Sequence, residues 1–169
     1  MPLWDTTLSP EERSKRFHEW AAAYFPHGDP IEADNLVVHD APGFRTSLEN
    51  ITAEDLAECT HEPPGRFPDG SDTLIGQLCG VHGLFEELKN AAFYPDSAIS
   101  AGTDTSRWRN LEFRVVWCDQ SIWMMPWAAK HIAMELEEAK RAGKATRPIT
   151  LVRVRDANHF VSSLTSTLQ

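Results

Sequence analysis

"VVWCDQSIWMMPW", residues 115–127, is the stretch that decides the fold, because a β-branched apolar run changes there abruptly into polar residues. Together with Phe113, the residues Val115 and Val116 predict a buried strand over about 112–117. In open α/β sheets, the loops at the carboxyl ends of the strands carry the chemistry. The loop that follows this strand is therefore the first candidate site.

A helix and a second strand follow this loop. Apolar residues at helical spacing predict a helix over about 124–142, and the run "ITLVRV" predicts a strand over 149–154. A strand, a helix and a second strand form a unit whose two strands are parallel. The fold class is therefore α/β. Parallel sheets normally contain several strands and are covered on both faces, so we expect missing strands or a partner that supplies them.

The first 105 residues read as helices and loops. Ser9 and Glu12 form a capping-box signature that predicts a helix over about 10–25, and Thr52 predicts a short helix to about Cys59. A third helical pattern covers about 72–93. Its apolar positions fall near one stripe: Leu74, Leu78, Val81, Phe85 and Leu88.

Composition limits the partners and the compartment. The 169 residues include 16 Lys and Arg against 25 Asp and Glu, a formal net charge of −9, and no basic run, which argues against nucleic acid and anionic membranes as partners. No signal peptide and no membrane span are recognisable, so we expect a cytoplasmic protein. Three cysteines at irregular spacing predict neither a disulfide framework nor a metal site, and no cofactor is implied.

Both predicted strand ends carry side chains with catalytic potential. Asp119 follows the first strand and His159 follows the second, and parallel strands bring these two ends to the same edge of the sheet. An imidazole base held by a carboxylate is the orienting half of a nucleophile, base and acid triad. The plainer alternatives stay open, since His159 can make an ordinary loop hydrogen bond and Asp119 can cap a helix or face solvent.

Four segments carry a resemblance to a known family. "FRVVWCDQSIWMMPW" and "RPITLVRVRDANHFV" resemble the final third of the fungal α/β-hydrolases that have a helical cap and belong to secondary-metabolite clusters. "PLWDTTLSPEERSKRFHEWAAAYFPHGD" and "ITAEDLAECTHEPPG" resemble the cap region of the same group. The resemblance implies a partial α/β-hydrolase fold. A helical cap-like region over 1–105 would precede the last two parallel strands with their flanking helices over 106–169.

The resemblance also implies roles for individual residues. The Asn-His-Phe triplet places the catalytic histidine of the family on His159. In the Gly-x-x-Asp arrangement of many such enzymes, Cys118 stands at the Gly position and Ser121 at the Asp position, so Asp119 can be the acid only if the loop is re-formed. A substrate pocket would lie at Trp123, Met124 and Trp127, which read equally well as core residues.

The chain departs from the family at the nucleophile. It contains no Gly-x-Ser-x-Gly elbow, and the half that would carry this elbow and the oxyanion hole is absent, so we expect a truncated hydrolase. With a nucleophile supplied by a missing segment or another chain, it would hydrolyse an apolar ester, thioester or lactone, such as a polyketide-like metabolite.

Two alternatives to hydrolysis and two kinds of partner remain. The chain could be a non-catalytic remnant that binds a hydrophobic ligand or a full-length homologue through an exposed strand edge, or a cyclase or isomerase that uses His159 as a proton shuttle. We also expect Phe17, Trp20 and Phe25 to lie exposed on the helices, which would favour a homodimer or pairing with a full-length hydrolase.

Overall fold

The fold combines helices with one small parallel sheet and is loosely α/β, which confirms the predicted class at that level. The computed structural model describes residues 2, 5–40, 42–61, 63–66, 68–95 and 111–160. The sequence "YPDSAIS", residues 94–100, also predicts a helical turn, but most of these residues lie outside the described ranges. The helices and strands are α1 (Pro10–Ala22), α2 (Ala53–Cys59), α3 (Ser71–Val81), α4 (Leu84–Phe93), β1 (Phe113–Cys118), α5 (Met124–Arg141) and β2 (Ile149–Val154).

Helix α1 begins as predicted and ends earlier than predicted. The Ser9 hydroxyl accepts the backbone N–H of Glu12, and the Glu12 carboxylate accepts that of Ser9, so the capping box is confirmed. The expected end at Phe25 is wrong. The chain is extended after Ala22, because the N–H of Tyr24 donates to the carbonyl of Arg45 and the N–H of Phe25 to that of Gln120 (both 2.9 Å).

The sheet consists of β1 and β2, which pair in parallel as predicted, with Trp117 opposite Arg153. Burial alternates along β1: Trp117 is half-buried on the face that α5 covers, whereas Val116 on the opposite face is 59% exposed. Opposite Val116 lies Val152, which is also exposed. Among the described residues no third strand joins the pair, so both of its edges and one of its faces are open.

Residues 72–93 form two helices, where the sequence pattern predicts one. The break lies at His82 and Gly83, where Gly83 adopts a left-handed conformation with φ of +68°. Helices α3 and α4 contact each other, and α4 packs on α5 through Phe93, Tyr94 and Ala139. Burial and a hydrogen bond to Glu135 raise the pKa of Tyr94 to about 12. The Tyr94 phenol is therefore a permanent hydrogen-bond donor between these helices.

The main core joins α1 and its extension to the loop after β1. Trp20 and Phe25 are 3% and 0% exposed, and they pack with Ile122 in one cluster. The expectation that Trp20 and Phe25 lie exposed to a partner is therefore wrong, because the chain supplies their cover itself, and Phe17 is partly buried against the same cluster. Residues of the cap-like region and of the C-terminal region thus share one core.

Asn158 is a fully buried polar residue at the centre of this arrangement. Its amide nitrogen donates to the carbonyl of Ala22 and to the hydroxyl of Ser47, both at 2.6 Å. Its amide oxygen accepts the backbone N–H of Phe160 at 3.0 Å. One side chain therefore fixes the end of α1, the 3-10 turn Ser47–Asn50 and the loop after β2.

We expect Asn158→Ala to lower the free energy of unfolding by roughly 2–3 kcal/mol, because it removes three hydrogen bonds and leaves buried partners unsatisfied. Urea unfolding followed by circular dichroism measures the effect. Glu137→Ala, an exposed position on α5, is the control and should change the free energy by less than about 0.5 kcal/mol. Equal effects of the two substitutions would contradict the role of the amide.

Candidate functional site

The loops after β1 and β2 lie against each other, as the parallel topology predicts. Beyond the strands, the N–H of Asp119 donates to the carbonyl of Val154 (3.1 Å) and the N–H of Gln120 to that of Ala157 (3.0 Å). Between these two acceptors, Asp156 has a φ of +55°, a conformation that Asp tolerates better than most residues. The side chains that follow the two strands are therefore held at one edge of the sheet.

Asp119 does not contact His159, so the predicted pairing of these two residues is corrected. The Asp119 oxygen Oδ2 accepts a hydrogen bond from Nε of Arg153 and forms an ion pair with Nη2, each at 3.1 Å. The reason is the alternation of side chains along a strand, which places Asp119 on the same face as Trp117 and, across the register, Arg153. The second oxygen, Oδ1, is buried and has no hydrogen-bond partner among the described residues.

Arg153 also forms an ion pair with a second carboxylate, that of Asp29. Its Nη1 lies 3.0 Å from the carboxylate of Asp29, whose pKa is lowered chiefly by this hydrogen bond. The guanidinium carbon also lies 5.5 Å from the centre of the Trp117 ring. Arg153 thus joins the loop around residue 29 to the loop after β1 and keeps the Asp119 carboxylate turned away from His159.

The residue that contacts His159 is Ser121. Its Oγ lies 3.4 Å from Nδ1 of the imidazole, and the Ser121 side chain is buried while His159 is exposed. A buried hydroxyl can orient the ring through Nδ1, and the other ring nitrogen, Nε2, is then the atom that can exchange a proton with a bound molecule. The hydroxyl is neutral, however, so it orients the imidazolium without the charge stabilisation that a carboxylate provides.

A second histidine, which sequence reasoning missed, fixes the backbone of Ser121. Nδ1 of His27 accepts the N–H of Val37 at 3.0 Å, so Nε2 carries the proton and donates to the carbonyl of Ser121 at 2.7 Å. The ring stacks on Phe25 with an interplanar angle of 8°. Burial lowers the pKa of His27, which keeps this imidazole neutral.

The thiol next to Asp119 is a packing group. Cys118 is buried at the end of β1, and burial, followed by the nearby charge of Asp119, raises the pKa of its thiol. A thiol with a raised pKa carries little thiolate and is a poor nucleophile. Cys118 is therefore a poor candidate for a catalytic nucleophile.

The three predicted pocket residues lie in different surroundings. Trp123 and Met124 pack against the core cluster around Phe25. Trp123 also lines a cavity of about 430 Å³ together with Trp20, Val38 and Asp40 among others. Trp127 makes an edge contact with His131, with 4.5 Å between the ring centres. The core reading is thus supported for Trp123 and Met124, and Trp123 also borders a cavity.

Comparisons with profiles of known protein families, with curated protein sequences and with solved structures found no match to this chain. The resemblance to fungal α/β-hydrolases therefore stays a prediction. In the described part of the chain, no helix is long and apolar enough to cross a bilayer. The same residues contain no group of three or more His, Cys, Asp and Glu side chains that could hold a metal ion.

The arrangement provides one accessible imidazole on a rigid support. Ser121 holds the ring of His159, and His27 holds Ser121 in turn. A signal for the Ser121 contact is present in the sequence, because Ser121 stands three residues after Cys118, where the hydrolase pattern has its acid. No comparable signal marks His27, which follows a helix and precedes a turn with no recognisable motif.

We expect the free energy of unfolding to fall as the pH is lowered from about 7.5 to about 5.5. The unfolded chain binds a proton on His27 near its ordinary pKa of 6.5, whereas the folded chain, with its lowered pKa, does not. His27→Gln should make this decline shallower, by at most about 1.4 kcal/mol per pH unit. His131→Gln, on the exposed side of α5, is the control, and an equal change in both variants would contradict the assignment.

Proposed function

We propose that this chain is an α/β-hydrolase-like protein that acts on an apolar ester, thioester or lactone of a fungal secondary-metabolite pathway, with His159 as its acid–base residue. The observation that carries the proposal is the contact of Ser121 Oγ with Nδ1 of His159 across two parallel strand ends. In the hydrolase pattern, the residue at the position of Ser121 is the one that orients the histidine. Geometry and sequence position therefore agree on the same pair.

The chemistry assigned to His159 is proton transfer. Nε2 takes a proton from the attacking hydroxyl group as that group adds to the substrate carbonyl, and returns it to the departing alkoxide or thiolate. The hydroxyl belongs to a serine of another segment or chain, and in the isolated chain it belongs to water. Since Ser121 is fully buried and lies on the Nδ1 side of the ring, it positions the base and is not the nucleophile.

A second candidate function is binding without turnover, in which the chain completes the sheet of a full-length homologue. The open sheet favours it, because parallel strands are normally paired at both edges and covered on both faces. Here Val116 and Val152 face outward side by side, and the outer backbone edges of β1 and β2 have no partner strand among the described residues. A strand from a homologue would satisfy these groups.

Purified protein assayed with p-nitrophenyl esters of increasing acyl length, an acyl thioester and a lactone should show turnover that depends on His159. We expect His159→Ala to lower the rate on the order of 100-fold or more, the usual contribution of general acid–base catalysis. Ser121→Ala should lower it less, because the ring loses its orientation and keeps its basic nitrogen. His131→Ala is the matched control and should keep the full rate.

A rate that is the same in His159→Ala and His131→Ala would overturn the proposal. No turnover by the wild-type chain, combined with binding of a full-length α/β-hydrolase homologue that His159→Ala leaves intact, would favour the second candidate instead. Circular dichroism of each variant confirms that the loss of rate reflects chemistry and not unfolding.

A further inference from the structure

The hairpin of α3 and α4 exposes an unusually large apolar surface. Seven of its large apolar side chains are between 39% and 80% exposed. They form what we call the hairpin face: Leu74, Ile75, Leu78, Val81, Leu84, Phe85 and Leu88. The largest apolar patch on a typical monomer covers roughly 300–600 Å², and seven large apolar side chains exposed to this degree match or exceed it. A surface of this size approaches the area that each partner contributes to a protein–protein interface of standard size, about 800 Å².

Helix α3 carries a single charged residue, Asp72 in its first turn. Residues 73–81, "TLIGQLCGV", contain no Asp, Glu, Lys or Arg. Within the described part of the chain, α3 packs chiefly against α4 and the 3-10 turn Pro63–Gly65, and four of its apolar side chains stay exposed: Leu74, Ile75, Leu78 and Val81. Gly76 and Gly80 lie one turn apart, and a Cβ added at either would meet open space, so another helix can approach closely there. A helix that is apolar on nearly all sides is normally buried.

We propose that the hairpin face is the interface of a homodimer, in which α3 and α4 of one chain pack on α3 and α4 of a second copy. A two-fold axis brings the same patch together with itself, and two hairpins packed in this way form a four-helix bundle. Self-association of a chain with a net charge of −9 is favoured by a contact surface with few like charges. Residues 73–81 carry none, and of the two carboxylates in the first turn of α4, Glu86 and Glu87, the first is paired with Lys89.

The low content of basic residues in the hairpin argues against a lipid membrane as the partner of the hairpin face. Helices that lie on membranes carry Lys and Arg on their polar face. The hairpin has a single Lys and no Arg, and this residue, Lys89, is paired with Glu86 and Glu135. The inference concerns assembly and is independent of the chemistry proposed for His159.

Sedimentation equilibrium of the full chain at several concentrations tests the proposal. We expect the wild type to sediment at about twice its chain mass of 19.0 kDa. Leu78→Glu and Phe85→Glu should each raise the dimer dissociation constant by at least about 100-fold. The reason is that a two-fold axis places the new carboxylate of both chains in the apolar interface. Val116→Glu, which places the same charge on the open face of the sheet, is the matched control and should leave the dimer intact.

Three results would overturn the proposal. The first is a wild type that stays monomeric at every concentration. Binding of this monomer to neutral phosphatidylcholine vesicles would likewise contradict the dimer. The second is a dimer that survives both hairpin variants and dissociates in Val116→Glu, which would place the interface at the sheet. The third is a series of ever larger species, because a two-fold contact closes at two copies. Since Leu78 and Phe85 are exposed within the chain, circular dichroism of their variants should match the wild type.

Discussion

A buried amide holds distant parts of this fold together. The side chain of Asn158 satisfies the carbonyl of Ala22 at the end of α1 and the hydroxyl of Ser47, while its own oxygen accepts a backbone N–H in the loop after β2. A polar group at 0% exposure is tolerated only when its hydrogen bonds are made. The backbone position of His159, the next residue, is therefore set by the hydrogen bonds that Asn158 makes in the core.

The end of strand β1 divides the polar residues that follow it between two tasks. Asp119 continues the strand alternation onto the face of Trp117 and Arg153 and is bound there as an ion pair, whereas Ser121 lies beyond the turn at residues 119–120 and contacts the loop after β2. The Asp119 carboxylate thus has a structural role, and the Ser121 hydroxyl contacts the imidazole of His159. Because one oxygen of Asp119 is buried and has no hydrogen-bond partner in the described part of the chain, Arg153 offsets the cost of that burial only in part.

Local signals predicted the elements, and longer-range packing decided the contacts. The capping box of α1 and the parallel pairing of β1 and β2 follow from short patterns, and both are confirmed. The end of α1 and the break at Gly83 were missed, because backbone partners far along the chain and a single left-handed residue outweigh helical periodicity. In the site, the edge where Asp119 and His159 converge was predictable. The contact of Ser121 with His159 had a signal in the hydrolase pattern, whereas the pairing of Asp119 with Arg153 depended on a strand register that no local pattern encodes.

The contact between residues 22 and 158 spans 136 positions. On the ribosome, helix α1 is therefore made long before the loops that cover Trp20 and Phe25 exist, since Ile122 and Asn158 emerge much later. At roughly 5–20 residues per second, the aromatic face of α1 stays uncovered for on the order of ten seconds. A nascent chain of this kind is a natural client for chaperones that shield apolar segments during synthesis, and its yield in cells should respond to their supply more than to the stability of the finished fold.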